Sequence, residues 1–107
     1  MPVTSSFLTF VEDQLSHLVD VRSRRMFGGV GLYAGEDFFG LIADDVLYLK
    51  VDDSNRSDYE DRGLEPFRPY GEGSRPMQYH RVPDEALEDP DALRPWVEKA
   101  VAVARAG

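Results

Sequence analysis

Three arginines close together, Arg22, Arg24 and Arg25, are the first residues whose type and spacing could do chemistry. No acidic residue occurs from Val21 through Gly35. On a strand, Arg22 and Arg24 project to one face and Arg25 to the other. Such a cluster suits an anion or a nucleic-acid backbone, and Lys50 is a further candidate contact. The competing use is an edge strand guarded by charge and paired with the chain's many carboxylates. Three guanidiniums against a net charge of −8 make a poor nucleic-acid footprint, so direct nucleic-acid binding is not expected.

Tyr79 and His80 are a second candidate pair, for a pocket holding a small ligand. His17 and His80 are far apart and lack metal-ligand spacing. His17 reads as solvent-facing on a helix, and His80 as a partly exposed strand histidine. Asp44-Asp45 and Asp52-Asp53 bracket one predicted strand, about 20 Å apart at ~3.3 Å per residue. They read as a turn and a helix cap, both ordinary uses of aspartate. Gly29-Val30-Gly31-Leu32-Tyr33-Ala34 fits the glycine pattern of a dinucleotide site, which requires a helix N-terminus immediately after it. A turn and another strand follow instead, so the glycines read as a bend or bulge between strands. Asn55-Arg56-Ser57 matches a glycosylation acceptor only by chance in a chain without a secretion signal. The absence of cysteine removes thiol catalysis, disulfides and thiolate metal sites. The expectation is no catalytic residue, no metal and no cofactor.

Hydrophobic periodicity places these residues on elements. The chain has 107 residues, 42% apolar and 11% aromatic, enough for one globular domain over residues 1–107. Phe7, Val11, Leu15 and Leu18 recur at helical spacing from about Ser6 to Asp20, with Phe10 and Val19 widening the stripe. Thr4, Ser5 and Ser6 offer hydroxyls for the first turn. Strands follow at Arg22–Phe27, Val30–Ala34, Phe38–Ala43 and Val46–Val51, separated by turn residues as in an antiparallel meander. Phe38–Ala43 is apolar on both faces, the pattern of an interior strand covered on both sides. A short helix through Tyr59 ends near Gly63, and residues 64–76 cross irregularly. Met77–Val82 is a further strand and Asp84–Leu87 a single helical turn. Leu93, Trp96, Val97, Ala100, Val101 and Ala104 form the apolar stripe of a last helix opened by Asp89-Pro90. The periodicity gives α, three or four strands, short α, one or two strands, α, hence an α+β fold of helices on one antiparallel sheet.

The run Arg25-Met26-Phe27-Gly28-Gly29-Val30-Gly31-Leu32-Tyr33 stands in register with Leu41-Ile42-Ala43-Asp44, Leu47 to Asp52, Pro66-Phe67 and Tyr79 to Pro83. Together with Leu87 to Pro90 and the terminal helix, these segments resemble the N-terminal domain of the TfoX/Sxy family. The resemblance runs over about residues 12 to 105, and Met26, Phe27, Gly28, Gly29 and Gly31 are its structural motif. It implies an α-β-β-β-α-β-β-α order with a secretion-chaperone-like architecture. It also implies a bacterial regulator without catalytic residues, from a family named for natural competence and acting with the cyclic-AMP receptor protein. Two-domain members continue into a C-terminal helical domain, before which this chain stops, so a stand-alone domain is expected.

Three functions follow in order. The first is a non-enzymatic regulatory or protein-interaction domain, a homodimer whose partner is itself and a transcription regulator. The second is nucleic-acid contact through Arg22, Arg24 and Arg25 with Lys50. The third is a small-ligand domain or enzyme around Tyr79 and His80, which needs those side chains in one concavity. The N-terminus has neither a basic start nor an apolar run of signal length, and no stretch approaches the ~20 apolar residues of a bilayer span. A cytoplasmic protein without membrane contact is expected.

Overall fold

The structure is a computed structural model that describes residues 3–26, 28–71, 73 and 75–106. Its elements are α1 (Ser5–Ser16), β1 (Val21–Met26), β2 (Gly29–Ala34), β3 (Asp37–Ala43) and β4 (Val46–Lys50). They continue with α2 (Arg56–Glu60), β5 (Tyr79–Arg81), α3 (Asp84–Leu87) and α4 (Pro90–Ala106). The strands form one antiparallel sheet in the order β1-β2-β3-β4-β5, so neighbours in sequence are neighbours in space. The α+β class stands. The order implied by the family resemblance, three strands before the short helix and two after, is corrected to four and one. The physical reason is that Asp44-Asp45 closes a two-residue hairpin. Both residues have positive φ, 51° and 55°, which keeps β4 in the meander.

The helices pack on one face only. Val11 and Leu15 of α1 and Leu93, Val97, Ala100 and Val101 of α4 join Leu32, Ile42, Leu47 and Leu49 of the sheet in one core. Thr4 caps α1 through its Oγ1, which accepts from the Phe7 amide at 3.2 Å. Its own amide and hydroxyl donate to the Asp45 carboxylate at 2.8 and 2.9 Å, tying the helix start to the β3–β4 turn. Ser23 on β1 reaches Glu12 of α1 at 2.6 Å. α1 ends at Ser16, short of Asp20, and Phe10 falls on its exposed side. α4 starts beside Asp89, whose carboxylate accepts from the Asp91 amide, and it runs on through Pro95. In the second turn a proline forfeits only one intrahelical bond.

A bulge sets the aromatic pattern of β3. Tyr33 pairs with Phe38 and Leu32 with Gly40, which leaves Phe39 as the extra residue. Its ring is fully buried in the helix-side core, whereas Phe38 faces the other way. The expectation that β3 is covered on both sides is met by helices on one face alone. On the other, among the described residues, Phe67 packs with Ala43 and Tyr79. β5 is shorter than the predicted Met77–Val82. The Phe67 amide and carbonyl bond to Tyr79 and Met77 instead, and Pro66 bridges to His80.

Candidate functional site

The sheet face opposite the helices is where the candidate residues gather. Pairing places Arg22 beside Tyr33, Arg24 beside Gly31 and Met26 beside Gly29. Further across, Gly31 meets Leu41, Leu41 meets Tyr48, and Lys50 pairs with Tyr79. Alternation puts all of these on the open face. Arg25 points to the helix-side face at the sheet edge and is exposed there, so the arginine cluster is split as its strand spacing predicts.

His80 departs from its expectation. It is buried, on the helix side, with Nδ1 donating to the Leu64 carbonyl at 2.8 Å. Its ring lies 5.4 Å from that of Tyr59, which meets Trp96 edge-on at 4.9 Å. Tyr79 faces the opposite side of the sheet. The two do not converge, because adjacent strand residues alternate, and a pocket shared by Tyr79 and His80 is thereby removed. The phrase Asn55-Arg56-Ser57 also has a structural use. Asn55 is buried, accepts from the Asp52 amide at 2.9 Å and donates to the Lys50 carbonyl at 3.2 Å. The aspartate pairs serve a turn and a helix start, Asp52 accepting from the Ser54 amide at 2.8 Å. The Ser54 hydroxyl, which also donates to this carboxylate, and then the Ser54 amide hold the Asp52 carboxyl below the ordinary range. The Gly29–Ala34 motif lies wholly within β2, with no helix after it. Gly28, at φ 79°, begins the way into β2, and Phe27 lies outside the described residues.

The open face holds a trough of about 510 Å³. Phe38, Leu41 and Tyr79 of the sheet line it together with Met26, Phe67, Pro69 and Met77. Tyr33 stacks on Phe38 with centroids 5.0 Å apart, and Phe38 leans on Tyr79 at 5.8 Å. Tyr48 packs on Phe67 at 5.0 Å. Burial pushes the phenols of Tyr48 and Tyr79 above the ordinary range, and Arg81 draws Tyr48 part of the way back. Met77 is 44% and Tyr70 90% exposed at the rim. A smaller hollow of about 370 Å³ beside Trp96 is lined by Asp58, Asp61, Arg62 and Lys99. Lys99 pairs with Asp58 at 2.7 Å, and Arg62 lies 5.3 Å over the Trp96 ring. Among the described residues no group of three or more histidines or acids could hold a metal, and no helix is long and apolar enough to cross a membrane.

The family model of the TfoX N-terminal domain matches residues 13–104, from within α1 through all five strands to the last turns of α4. The chain belongs to the TfoX N-terminal domain family. No match is found among curated proteins. In this TfoX N-terminal domain the structural motif residues Met26, Gly29 and Gly31 all lie at the trough or beneath it. A Cβ at Gly31 would come 2.7 Å from the Met26 Cε, and one at Gly29 would come 2.7 Å from the Ile42 carbonyl oxygen. Phe38, Leu41, Phe67 and Met77 were not singled out as site residues in the sequence. Period-two alternation points to Leu41, but the Phe39 bulge and the fold-back of residue 67 leave no local signature.

Proposed function

We propose that this TfoX N-terminal domain is a non-catalytic regulatory domain that acts through protein contacts as a cytoplasmic homodimer, with a transcription regulator as its second partner. Family membership supports the regulatory reading. The observation that carries the non-catalytic part is the employment of the chemistry-bearing side chains in the fold itself. His80 holds Leu64, Asp45 holds Thr4, Asn55 holds the start of α2, and Tyr79 belongs to an aromatic cluster. Nucleic-acid contact is the weaker reading. Arg25 is on the wrong face to join Arg22 and Arg24, and a chain of net charge −8 repels a polyanion.

Sedimentation equilibrium over a wide concentration range tests the assembly: a dimer is expected, and a strict monomer throughout overturns it. Anisotropy titration against the cyclic-AMP receptor protein of the same cell tests the partner. Saturable binding supports that partner, and no binding at tens of micromolar removes it.

A further inference from the structure

The two edges of the sheet are treated differently. At β5 the chain covers its own edge: the Arg81 amide donates to the Glu65 carbonyl at 2.9 Å, the Phe67 amide to the Tyr79 carbonyl at 2.8 Å, and Pro66 bridges to His80. β1 is the other edge, six residues long against three, with no proline, no glycine and no register shift against β2. Among the described residues no backbone hydrogen bond joins β1 to anything but β2, so alternate amides and carbonyls along it are open. Half of its residues are arginines, all exposed, and among the described residues none is in an ion pair. Arg22 and Arg24 flank the edge on the open face and Arg25 on the helix side. Of the acids around it, Glu12 is held by Ser23 on the helix side and Asp20 precedes the strand.

We propose that the β1 edge takes an acidic, extended segment of a partner protein as a sixth strand of the sheet. Backbone bonds supply the affinity of such a strand, and alternate side chains supply the selection. The segment recognised carries carboxylates opposite Arg22, Arg24 and Arg25 and apolar side chains opposite Val21 and Met26. Running antiparallel, it reads apolar, acid, acid, any, acid, apolar. A guanidinium fork meets a carboxylate with two parallel hydrogen bonds, which the ammonium of lysine, the commoner guard of sheet edges, does not. Physiological salt screens charges beyond ~8 Å, so a segment on β1 meets these arginines more strongly than the acidity of the chain as a whole. A second copy of this chain fits badly. Full-length antiparallel self-pairing sets Arg22 directly opposite Arg25 twice over, and like charges so placed destabilise. Nucleic acid fits badly as well, having no amides and carbonyls to continue the ladder. The surface deepens the protein-contact reading above and rests on it, but on neither the dimer nor the receptor protein.

The test titrates the full chain with the end-blocked peptide Val-Glu-Glu-Thr-Glu-Val, following backbone amides by nitrogen-15 NMR. The amides of Val21 to Met26 shift and saturate. The same peptide with glutamine for all three glutamates binds about tenfold more weakly, at roughly twofold per exposed pair. Methylating the peptide nitrogens that face β1 abolishes binding, and methylating the alternate set does not. Arg22→Gln with Arg24→Gln, shown folded by circular dichroism, lowers affinity for the glutamate peptide about fourfold and leaves the glutamine peptide unchanged. Four results each overturn the proposal: no shift up to millimolar peptide, shifts confined to other elements, equal affinity for the two peptides, or equal effects of the two methylation sets. Shifts of the β1 amides with the chain's own concentration overturn it in favour of a second copy. A single-stranded oligonucleotide that moves those amides where the peptide does not overturns it in favour of nucleic acid. A dimer or a bound receptor protein with a silent β1 removes this surface alone, whereas a monomer that binds neither receptor nor peptide removes the protein-contact reading with it.

Discussion

The two faces of this sheet are built from different residues. The helix side is aliphatic and closed: Val30, Leu32, Ile42, Leu47 and Leu49 meet the stripes of α1 and α4 and are all but inaccessible. The open side is aromatic, thioether and cationic, interrupted by glycines, and closed only in part by the 66–79 segment. Burial of aliphatic surface contributes roughly 25 cal/mol per Å², so most of the folding free energy is supplied by the helix side. The open side is freer to be shaped by what it meets than by what it stabilises.

Truncation on each side tests that division most severely. Phe39→Ala removes a fully buried ring from the helix-side core and is expected to cost about 3–5 kcal/mol. Leu41→Ala, one strand position past Gly40 on the half-covered open face, should cost about 1 kcal/mol or less. Urea denaturation of both variants measures the difference, and equal losses would show that the two faces share the load. Next in size is Asp45→Ala, expected at about 1–2 kcal/mol. It strips both hydrogen bonds from Thr4 and leaves an alanine in left-handed backbone, at φ 55°.

Tyr59 marks a flaw on the helix side. Its hydroxyl is buried without a hydrogen-bond partner among the described residues. Tyr59→Phe is therefore expected to stabilise by about 1 kcal/mol, since a buried unsatisfied donor costs about that much or more. Burial raises the phenol's pKa above its ordinary 10.0, so the folded state keeps a proton that the unfolded chain releases. Stability present below pH 10 is thus lost as pH rises beyond it, and Tyr59→Phe should flatten that alkaline loss. Melting curves between pH 8 and 11 distinguish the two variants, and an unchanged alkaline slope would count against Tyr59 as its source.

Much of the helix side was legible in the sequence because it rests on local periodicity. The α4 stripe, the Asp44-Asp45 turn and the alternation of Leu47 and Leu49 all read directly from spacing. The family resemblance, placed on the run from Arg25 to Tyr33, agrees with the match over residues 13–104. The open side was legible only at Arg22, Arg24, Lys50 and Tyr79. Its trough arises from a bulge at Phe39 and from a segment that folds back through backbone bonds to Tyr79 and Met77. Both depend on partners distant in the chain, which spacing does not encode. His80 was misplaced for the same reason: its partner, the Leu64 carbonyl, is 16 residues away.

The smallest expected effects concern charge, and they separate the faces most finely. Arg105 of α4 donates to Asp37 of β3 at 3.0 Å on the helix side, with both side chains partly in water. Arg105→Ala should cost a few tenths of a kcal/mol up to about 1, and the loss should shrink in molar salt. Arg24→Ala on the open side removes a guanidinium that has no ion pair among the described residues and should leave stability within about 0.5 kcal/mol. Paired denaturation curves at low and high salt decide the matter. A loss at Arg24 as large as that at Arg105 would make the open-face cation a structural group after all. A neutral result is what an exposed charge guarding the edge strand β1 would give.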